Sequence, residues 1–597
     1  MALCTIMLGM FVVLGPPNEQ STRIQRIYVL PMSHLDVGFT DAPSAVAAKM
    51  VEAVDEALDR AVEDSSYVWN IETFWQLDQW MAVKPSVARQ KLLAQLVRSG
   101  RIGVGAAYVT PHSALMSAWA MEQLCEPARA WARREGLTLE WAVLNDVPGH
   151  PADMPRFLAN AGVKYLVLGV NQGFTPPIPE KYCNTPFWWE APTGERVLTW
   201  ISAKGYTEAF TEMGFDPDTA RFFNPKRFKG EDGLAIMRQG IREMLAGYEQ
   251  RGYAFDRILV LSAFDNWGLG SANRLGRYAQ EWNAAKAGPE IVISTPAAFF
   301  EDLLADKAIT IPTYRGDFGG AWDRVKLSVP TSVRRMRAAE VQFRLARLTG
   351  ADPAVRNYLA LCGHTFGLGP PWPKLLTEEQ ALRHNLDQAA MVKALPGQWE
   401  ERPVDGKETQ LAVEHDGALA PNGLYLADGI GIWQFVGQKL TPLPADVWTA
   451  LPPRRNAEGV WQFRHRIDRR KLGDDAKVVW AWPVQTPAGE LRPRVQTARG
   501  WVRLPDERLD GELHNGWFSA WASRLDGVEI VADVPLGFCV SPQHYPNWIF
   551  ALCLTQSRQA HFKDGTERQL TFNEAFPGEE EVLEFTIEVR PMGSTDR

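Results

Sequence analysis

The sequence predicts a multidomain protein of the α/β + β class, and three patterns carry this prediction. Strand-like and helix-like runs alternate over residues 23–325, and helical periodicity without strands follows over residues 326–395. Beyond residue 395, short runs rich in Trp, Val and Phe alternate with Gly, Pro, Asp and Asn. Because 597 residues exceed the size at which one hydrophobic core stops growing, roughly two to four domains are expected.

The first region is predicted to be α/β from the spacing of its apolar residues. Strands show short apolar runs, whereas helices show apolar residues three and four positions apart. Their alternation implies a parallel sheet, open or closed. The strand-like runs cover 27–30, 67–71, 141–144, 164–170, 197–201 and 258–263, and the helix-like runs cover 44–64, 86–99 and 274–285.

Two further regions follow the α/β region. Residues 333–348 and 377–392 repeat Leu and Ala at helical spacing, which predicts a helical bundle over 326–395. The remaining residues, 396–597, contain runs such as 430–436, 477–482 and 582–589 that are typical of antiparallel strands. We therefore expect a β-sandwich-like domain at the C-terminal end.

The N-terminal segment, residues 1–22, is apolar over Leu3 to Gly15. This run has the length of a signal-peptide core, yet no Lys or Arg precedes it and Pro16 and Pro17 follow it. It is either signal-like or an upstream extension. No other stretch approaches the length of a membrane span. Six scattered cysteines give no disulfide framework, so a cytoplasmic protein is favoured over a secreted one.

The composition also bears on binding partners. A net charge of -8 argues against nucleic acid as a partner, because nucleic-acid binding needs a basic surface. The 23 tryptophans suit stacking on the faces of sugar rings, although most are expected in the core. A carbohydrate is therefore the expected partner, and the oligomeric state stays open.

His34 and Asp36 are the first candidate site residues, since they follow the apolar run 27–30. In an extended backbone, side chains two positions apart share a face, so both can reach one metal ion. An imidazole and a carboxylate together suit zinc. The same triplet is also compatible with a surface pair or with a hydrogen-bonded core histidine.

A repeated unit strengthens the metal interpretation. Asp146 follows the strand-like run 141–144, and Asp265 follows the run 258–263; a helix-like segment comes after each. Because the carboxyl ends of parallel strands form the active face, three separate segments would deliver carboxylates to one cleft.

Two motifs resemble glycoside hydrolase family 38, the retaining α-mannosidases. Residues 31–39, PMSHLDVGF, resemble the family's first metal motif, His-x-Asp-x-Gly-Trp. Residues 146–150, DVPGH, are similar to its Asp-x-x-Gly-His segment. The resemblance covers about residues 25–395 and implies a (β/α)7-type barrel over 23–325, followed by the helical bundle.

The same resemblance implies the chemistry of the site. One zinc ion per chain would be held by His34, Asp36, Asp146 and His364. Asp146 would also be the nucleophile, and Asp265 is the best match to the acid/base. His112 is expected to lie in an unrelated loop and to take no part in metal binding.

Further residues are expected in the substrate cleft. Phe39 takes the place of the tryptophan that stacks on the sugar in the family, and Asp317 belongs to a segment, 314–322, that resembles the family's link from barrel to bundle. Asp317 is also the second choice for the acid. The other candidates are Trp69, Glu72, Trp75 and Trp267, for which interface packing or a satisfied salt bridge is the alternative interpretation.

Three functional classes are compatible with these residues. The leading interpretation is a zinc-dependent retaining glycoside hydrolase that forms a covalent glycosyl-aspartate. The first alternative is a zinc-dependent carbohydrate deacetylase, in which Asp146 acts as a base. The second is a catalytically impaired carbohydrate-binding protein that keeps the metal without an acid.

Overall fold

The computed structural model describes most of the first 397 residues and the main strands of the C-terminal part. The predicted N-terminal segment, residues 1–22, lies outside the described residues. The described ranges are 23–171, 178–230, 232–266, 272–318, 322–367, 376–397, 409–410, 431–436, 439–444, 446–450, 453–474, 476–483, 494–497, 500–503, 518–525, 528–541 and 545–592.

Among the described residues, ten strands form the first region, and four of them are short and fully buried. Strands buried on both faces are expected to be apolar throughout, as in parallel sheets covered by helices. They are β1 (Arg26–His34), β2 (Trp69–Ile71), β3 (Ile102–Val104), β4 (Trp141–Val143), β5 (Tyr165–Gly169), β6 (Phe187–Glu190), β7 (Arg196–Ser202), β8 (Arg257–Asp265), β9 (Glu290–Ile293) and β10 (Thr313–Tyr314).

These strands form two five-stranded sheets that are parallel except at one pair. The first has the order β3-β2-β1-β8, with β9 also paired to β1. The second has the order β10-β6-β7-β5-β4, in which β6 runs antiparallel to β7. In the first sheet, His34 is the register partner of Asp265, so β1 and β8 end side by side. The predicted parallel sheet is confirmed.

The two sheets approach each other at two places. Ala263 N in β8 donates to Tyr206 O after β7, at 2.9 Å. Ala106 N after β3 donates to Trp141 O in β4, also at 2.9 Å. Among the described residues, however, no strand pairing joins the two sheets. A closed (β/α)7 barrel is therefore not confirmed and stays a prediction.

Helices cover these sheets with amphipathic faces. In α1, for example, the buried residues Val46, Met50, Val54 and Ala57 recur at three- and four-residue spacing. The helices of this region are α1 (Pro43–Glu63), α2 (Phe74–Ala82), α3 (Val87–Arg98), α4 (Ala118–Gln123), α5 (Glu126–Glu135), α6 (Met154–Asn160), α7 (Glu208–Thr211), α8 (Pro217–Phe223), α9 (Gly233–Gln250), α10 (Ala272–Ala284) and α11 (Pro296–Ala305).

Three helices follow without an intervening strand among the described residues: α12 (Pro330–Leu345), α13 (Pro353–Cys362) and α14 (Glu378–Lys393). The first and last correspond to the two predicted helices, whereas α13 was not predicted. Its end matters because it leads directly to His364.

The C-terminal part is antiparallel, as predicted. Among its described residues, thirteen strands form one connected sheet, and β23 and β24 form a separate pair. Whether it closes as a sandwich stays a prediction, as do the domain boundaries. The strands are β11 (Thr409–Gln410), β12 (Gly431–Val436), β13 (Lys439–Pro442), β14 (Trp448–Ala450), β15 (Arg454–Arg455), β16 (Trp461–Asp468), β17 (Ala476–Pro483), β18 (Arg494–Thr497), β19 (Gly500–Arg503), β20 (Phe518–Leu525), β21 (Val528–Ser541), β22 (Tyr545–Gln556), β23 (Gln559–His561), β24 (Glu567–Gln569) and β25 (Val582–Pro591), with helix α15 (Phe572–Ala575) before the last.

A buried ion pair attaches the C-terminal part to the bundle. The Glu579 carboxylate accepts hydrogen bonds from Thr331 N at 3.0 Å and Ser332 N at 2.8 Å, at the start of α12. A carboxylate is favoured at a helix N-terminus because the unpaired N–H groups point towards it. Arg469 Nη1 donates to the same carboxylate at 3.3 Å, and both side chains are buried.

Among the described helices, none is long and apolar enough to cross a membrane.

Glu208 at the start of α7 is a buried carboxyl in the core. Asn184 Nδ2 donates to its Oε1 at 3.0 Å. Burial raises the pKa of Glu208 to about 8, and the nearby charge of Glu212 adds to this increase. The folded protein therefore holds this proton at pH values where the unfolded chain, with an ordinary value of 4.5, has lost it.

Replacing Glu208 with Gln is expected to stabilise the protein at high pH. A raised folded-state pKa contributes stability that is present below pH 4.5 and is lost as the pH rises towards about 8. The neutral amide avoids this loss. The gain in the free energy of unfolding should therefore be small at pH 5 and on the order of 3 kcal/mol at pH 8. Urea unfolding at both pH values measures it, with exposed Glu249→Gln as control. Equal stability of wild type and Glu208→Gln at pH 8 would contradict the prediction.

Candidate metal centre and active site

The end of β1 supplies the first two side chains of the candidate metal centre. His34 is the last residue of β1, and Asp36 follows two positions later on the same side. His34 Nε2 lies 3.6 Å from Asp36 Oδ1, and both side chains are buried. The side-chain period of an extended backbone therefore brings imidazole and carboxylate together, as predicted.

Asp146 comes from the loop after β4. Its backbone N donates to Gly169 O at 2.6 Å, and Asn171 N donates to its carbonyl at 3.1 Å. These two bonds fix the loop against the end of β5. Asn171 Nδ2 also donates to Asp146 Oδ1 at 2.8 Å, which leaves Oδ2 directed towards the other candidate ligands.

His364 comes from the bundle and not from the sheets. It lies two residues after α13, and its backbone N donates to Thr110 O at 3.0 Å. His364 Nε2 lies 2.9 Å from Asp36 Oδ1 and 3.4 Å from Asp146 Oδ2. The bundle therefore completes a site that the sheets alone do not contain.

The four side chains form one compact buried group. One ligand atom from each of them lies within 4.8 Å of all the others. Two neutral imidazoles and two carboxylates form a donor set suited to a divalent metal such as zinc. The members are His34, Asp36, Asp146 and His364.

Outer hydrogen bonds orient both imidazoles. His34 Nδ1 lies 2.9 Å from Glu72 Oε1, and His364 Nδ1 lies 3.2 Å from Thr110 O. Because carbonyl and carboxylate oxygens accept, each Nδ1 is the donor. Within the described part of the chain, neither Nε2 has a hydrogen-bond partner. Each Nε2 would therefore offer its lone pair to a cation bound at the centre, as metal-binding histidines do.

The two carboxylates of the group favour a positive charge at its centre. Burial opposes ionisation, yet the neighbouring imidazoles of His34 and His364 hold the pKa of Asp36 below its ordinary value. Burial also lowers the pKa of His364, but the two carboxylates outweigh this and raise it to about 9. A proton supplies the charge in the metal-free protein, and a bound cation would take its place.

Three residues around this group have left-handed backbone conformations. Phe39, Asp146 and Asn266 have φ angles of 61°, 76° and 47°, in the left-handed region. Such residues cost free energy and persist where surrounding contacts hold them. Asn266 shows these contacts, since its Oδ1 accepts from Asp36 N at 2.8 Å and its Nδ2 donates to Thr40 Oγ1 at 2.6 Å. The loops after β1 and β8 are thereby joined.

Gly149 allows the loop after Asp146 to pack closely. A Cβ atom built on it would lie 1.8 Å from Phe318 O, so any larger residue would displace the backbone. The same loop is held by Asp317, whose Oδ2 accepts from Ala152 N at 2.8 Å.

A family model described as glycosyl hydrolases family 38 N-terminal domain matches residues 25–317. Residues 25–317 belong to glycosyl hydrolase family 38. The protein is thus a glycoside hydrolase, and the resemblance predicted from the segments around His34 and Asp146 is confirmed.

Two solved structures support the fold over nearly the whole chain. An alpha-mannosidase from Enterococcus faecalis V583 aligns with a TM-score of 0.61 at 10% identity, covering 95% of this chain and 87% of that one. A protein in glycosyl hydrolase family 38 from Enterococcus faecalis aligns with a TM-score of 0.55 at 10% identity, covering 96% and 86%. No curated protein matches the chain.

The structure brings the four ligands expected from the family 38 resemblance together, but it places three expected substrate residues elsewhere. Glu72 is fully buried and is used by His34 Nδ1 and by Leu35 N, the latter at 2.6 Å. It supports a metal ligand and does not line the cleft. Trp69 and Trp75 are 3% and 5% exposed and belong to the hydrophobic core, so they offer little ring surface to a sugar.

The remaining expected residues have mixed outcomes. Phe39 is half-buried and packs against a hydrophobic cluster of α14 and the C-terminal part. The backbone of Asp265 lies beside His34, whereas its side chain and all of Trp267 lie outside what the structure describes. Asp317 is 5% exposed and braces the Asp146 loop, which gives it a structural role.

Several residues near the family 38 site were not found from the sequence. His112 was expected in an unrelated loop, yet its ring lies 6.4 Å from that of His364. His150 Nδ1 lies 2.7 Å from Ser113 Oγ, and its Nε2 has no partner among the described residues. Tyr206 packs its ring 4.7 Å from that of His34. His150 alone had a signal, since it ends the Asp146 motif.

Proposed function

We propose that this family 38 protein is a zinc-dependent retaining glycoside hydrolase that acts on α-mannosides. The buried group of two imidazoles and two carboxylates is the observation that carries the proposal, because both Nε2 atoms are directed at its centre without a partner among the described residues. The alpha-mannosidase fold of one structural neighbour supports the choice of sugar.

Zinc fits the residues present, and one ion per chain is expected. His34 and His364 would bind through Nε2, and Asp36 and Asp146 through carboxylate oxygens. Bound there, zinc would hold adjacent hydroxyl groups of the sugar and offset the negative charge of the two aspartates.

Asp146 is proposed as the nucleophile. Its carboxylate would attack the anomeric carbon, so that a carbon–oxygen bond to Asp146 forms while the glycosidic bond breaks. The hydrogen bond from Asn171 Nδ2 holds the carboxylate in one orientation and reduces the entropy lost on reaching this geometry.

Asp265 is proposed as the acid/base. It would protonate the departing oxygen in the first step, then take a proton from the water that hydrolyses the glycosyl-aspartate ester. Retention requires the two carboxyl groups about 5 Å apart. The register pairing of Asp265 with His34 on neighbouring strands supports this role, because it brings residue 265 to the edge where the candidate ligands meet.

Product analysis tests the proposed function. The zinc-loaded protein is incubated with 4-nitrophenyl α-mannoside and followed by proton NMR. Retention predicts that the α-anomer of the free sugar appears first. The β-anomer would contradict the retaining mechanism. Acetate released from an N-acetylated sugar would indicate a deacetylase, and binding without any product would indicate a carbohydrate-binding protein.

Replacing Glu72 with Gln is expected to weaken zinc binding about 10- to 100-fold, as loss of an outer-shell partner does. Glu72 Oε1 accepts from His34 Nδ1 and Oε2 accepts from Leu35 N, so the NH₂ group of Gln would face one of these two donors and the imidazole would lose its fixed orientation. Competition with a chelator measures the affinity, and exposed Glu52→Gln is the matched control. Unchanged zinc affinity in Glu72→Gln would show that this contact does not support the ligand.

Replacing Asp265 with Asn is expected to reduce turnover of substrates with poor leaving groups about 10²- to 10⁴-fold. The first step on activated aryl glycosides should be spared, because such groups leave without protonation. Steady-state and pre-steady-state kinetics on alkyl and aryl mannosides separate the steps. Unchanged kinetics on every substrate would exclude Asp265, and Asp317→Asn would then be examined as the second choice.

A further inference from the structure

A separate cavity lies beside the candidate metal centre. It has a volume of about 290 Å³ and lies between the loop 112–118 and helices α12 and α13. None of the four candidate metal ligands lines it. Its polar and charged lining includes His112, Ser117, Lys326, Arg337, Glu340, Arg344 and Tyr358.

His112 is the feature that points to a ligand. Its side chain is buried, with 1% of the residue exposed, and it lines the cavity. Neither Nδ1 nor Nε2 has a hydrogen-bond partner in the described part of the chain. A neutral imidazole has one donor and one acceptor, and leaving both unsatisfied in the interior costs free energy. The cavity that His112 lines has room for such a partner.

The cavity also has a polar wall built on α12. Glu340 accepts hydrogen bonds from Ser117 Oγ at 2.6 Å and from Tyr358 Oη at 3.3 Å. Each carboxylate oxygen of Glu340 keeps a lone pair that a further donor can use. The cavity therefore offers acceptors at Glu340 and both a donor and an acceptor at His112.

The charged groups of the lining already have partners within the protein. Glu340 Oε1 lies 4.0 Å from Arg344 Nη1, and Arg337 also has an interaction partner. A neutral occupant therefore leaves no charge of the lining unpaired. The Lys326 Nζ is also fully used, since it donates to the carbonyl oxygens of Leu361, Gly363 and Phe366 at 2.7 to 2.9 Å. Met116, Val333 and Met336 supply apolar surface.

We propose that this cavity is a second, non-catalytic binding site for a small neutral polyol of monosaccharide size. Hydroxyl groups both donate and accept, so they match His112 and Glu340, while the C–H faces of such a molecule match the apolar wall. The volume is close to the lower end of small-molecule sites and roughly ten times the share of one water molecule. This site does not depend on the proposed catalytic function, because no proposed catalytic residue lines it.

Binding of myo-inositol to the zinc-loaded full-length protein tests the proposal. This cyclic polyol has no anomeric carbon, so a glycosidase cannot hydrolyse it. Isothermal titration calorimetry should detect binding in wild type, and His112→Phe should weaken it at least about tenfold, since two hydrogen bonds are lost. The matched control is His465→Phe, another buried histidine, which lies in the C-terminal sheet and should bind like wild type.

A second pair of variants keeps the outcome decisive if His112→Phe does not fold. Val341 lines the cavity and is 52% exposed, so Val341→Trp should obstruct the cavity without disturbing the core. It should weaken binding, whereas Asp36→Asn, which damages the metal centre, should leave it unchanged. Binding lost in Asp36→Asn and kept in Val341→Trp would overturn the proposal. So would a crystal structure in saturating myo-inositol that shows only water in the cavity.

Discussion

Wild-type protein dialysed against zinc is expected to retain about one ion per chain, whereas Asp36→Ala should bind zinc at least about 100-fold more weakly. The reason is local charge: Asp36 is a buried carboxylate within reach of both imidazoles, and its loss removes half of the anionic ligands. Preorganised ligand sets lose affinity steeply when one member is removed. Mass spectrometry of the metal content after equilibrium dialysis measures the occupancy.

The control for this experiment is chosen from the structure. His112 would be unsuitable, because its ring lies only 6.4 Å from that of His364. His465 is equally buried but lies in β16 of the C-terminal sheet, so His465→Ala should keep full occupancy. His34→Ala should behave like Asp36→Ala. Activity that persists in zinc-free protein would contradict the metal-dependent mechanism.

The sequence predicts those parts of the fold that have a strong hydrophobic period. Helix α1 was expected over 44–64 and spans Pro43–Glu63, because its buried residues repeat at helical spacing. Helix α13 was missed, although Asp352 and Pro353 at its start are typical of a helix N-terminus. Ring closure was predicted only from the family resemblance, because it depends on pairing between strand edges that apolar runs do not encode.

The candidate site also contains residues that the sequence predicts and residues that it does not. His34 and Asp36 could be found from the residues alone, because two positions on one strand share a face. His364 was reached only through the family resemblance, since the bundle that carries it is distant in sequence. Asn171 and Asn266 had no signal, because single polar side chains have no period. Glu72 was predicted to face the cleft, and only tertiary packing turns it towards His34.

Asp146→Asn is expected to lower hydrolysis of aryl α-mannosides by about 10⁴-fold or more, since removing a covalent nucleophile removes the first chemical step. The protein should still fold, because the backbone bonds that hold the Asp146 loop do not involve its side chain. Circular dichroism and kinetics on the purified variant measure both properties.

Asp146 is also a proposed zinc ligand, so loss of activity alone does not assign its role. Zinc content must be measured in the same variant, and a second experiment uses wild type only. An activated fluorinated mannoside should form a stable ester on Asp146, which peptide mass spectrometry detects as a mass increase on the segment containing it. A water-based mechanism gives no such label. Zinc-loaded wild type that hydrolyses aryl α-mannosides without ever labelling Asp146 would therefore overturn the nucleophile assignment while leaving the metal centre intact.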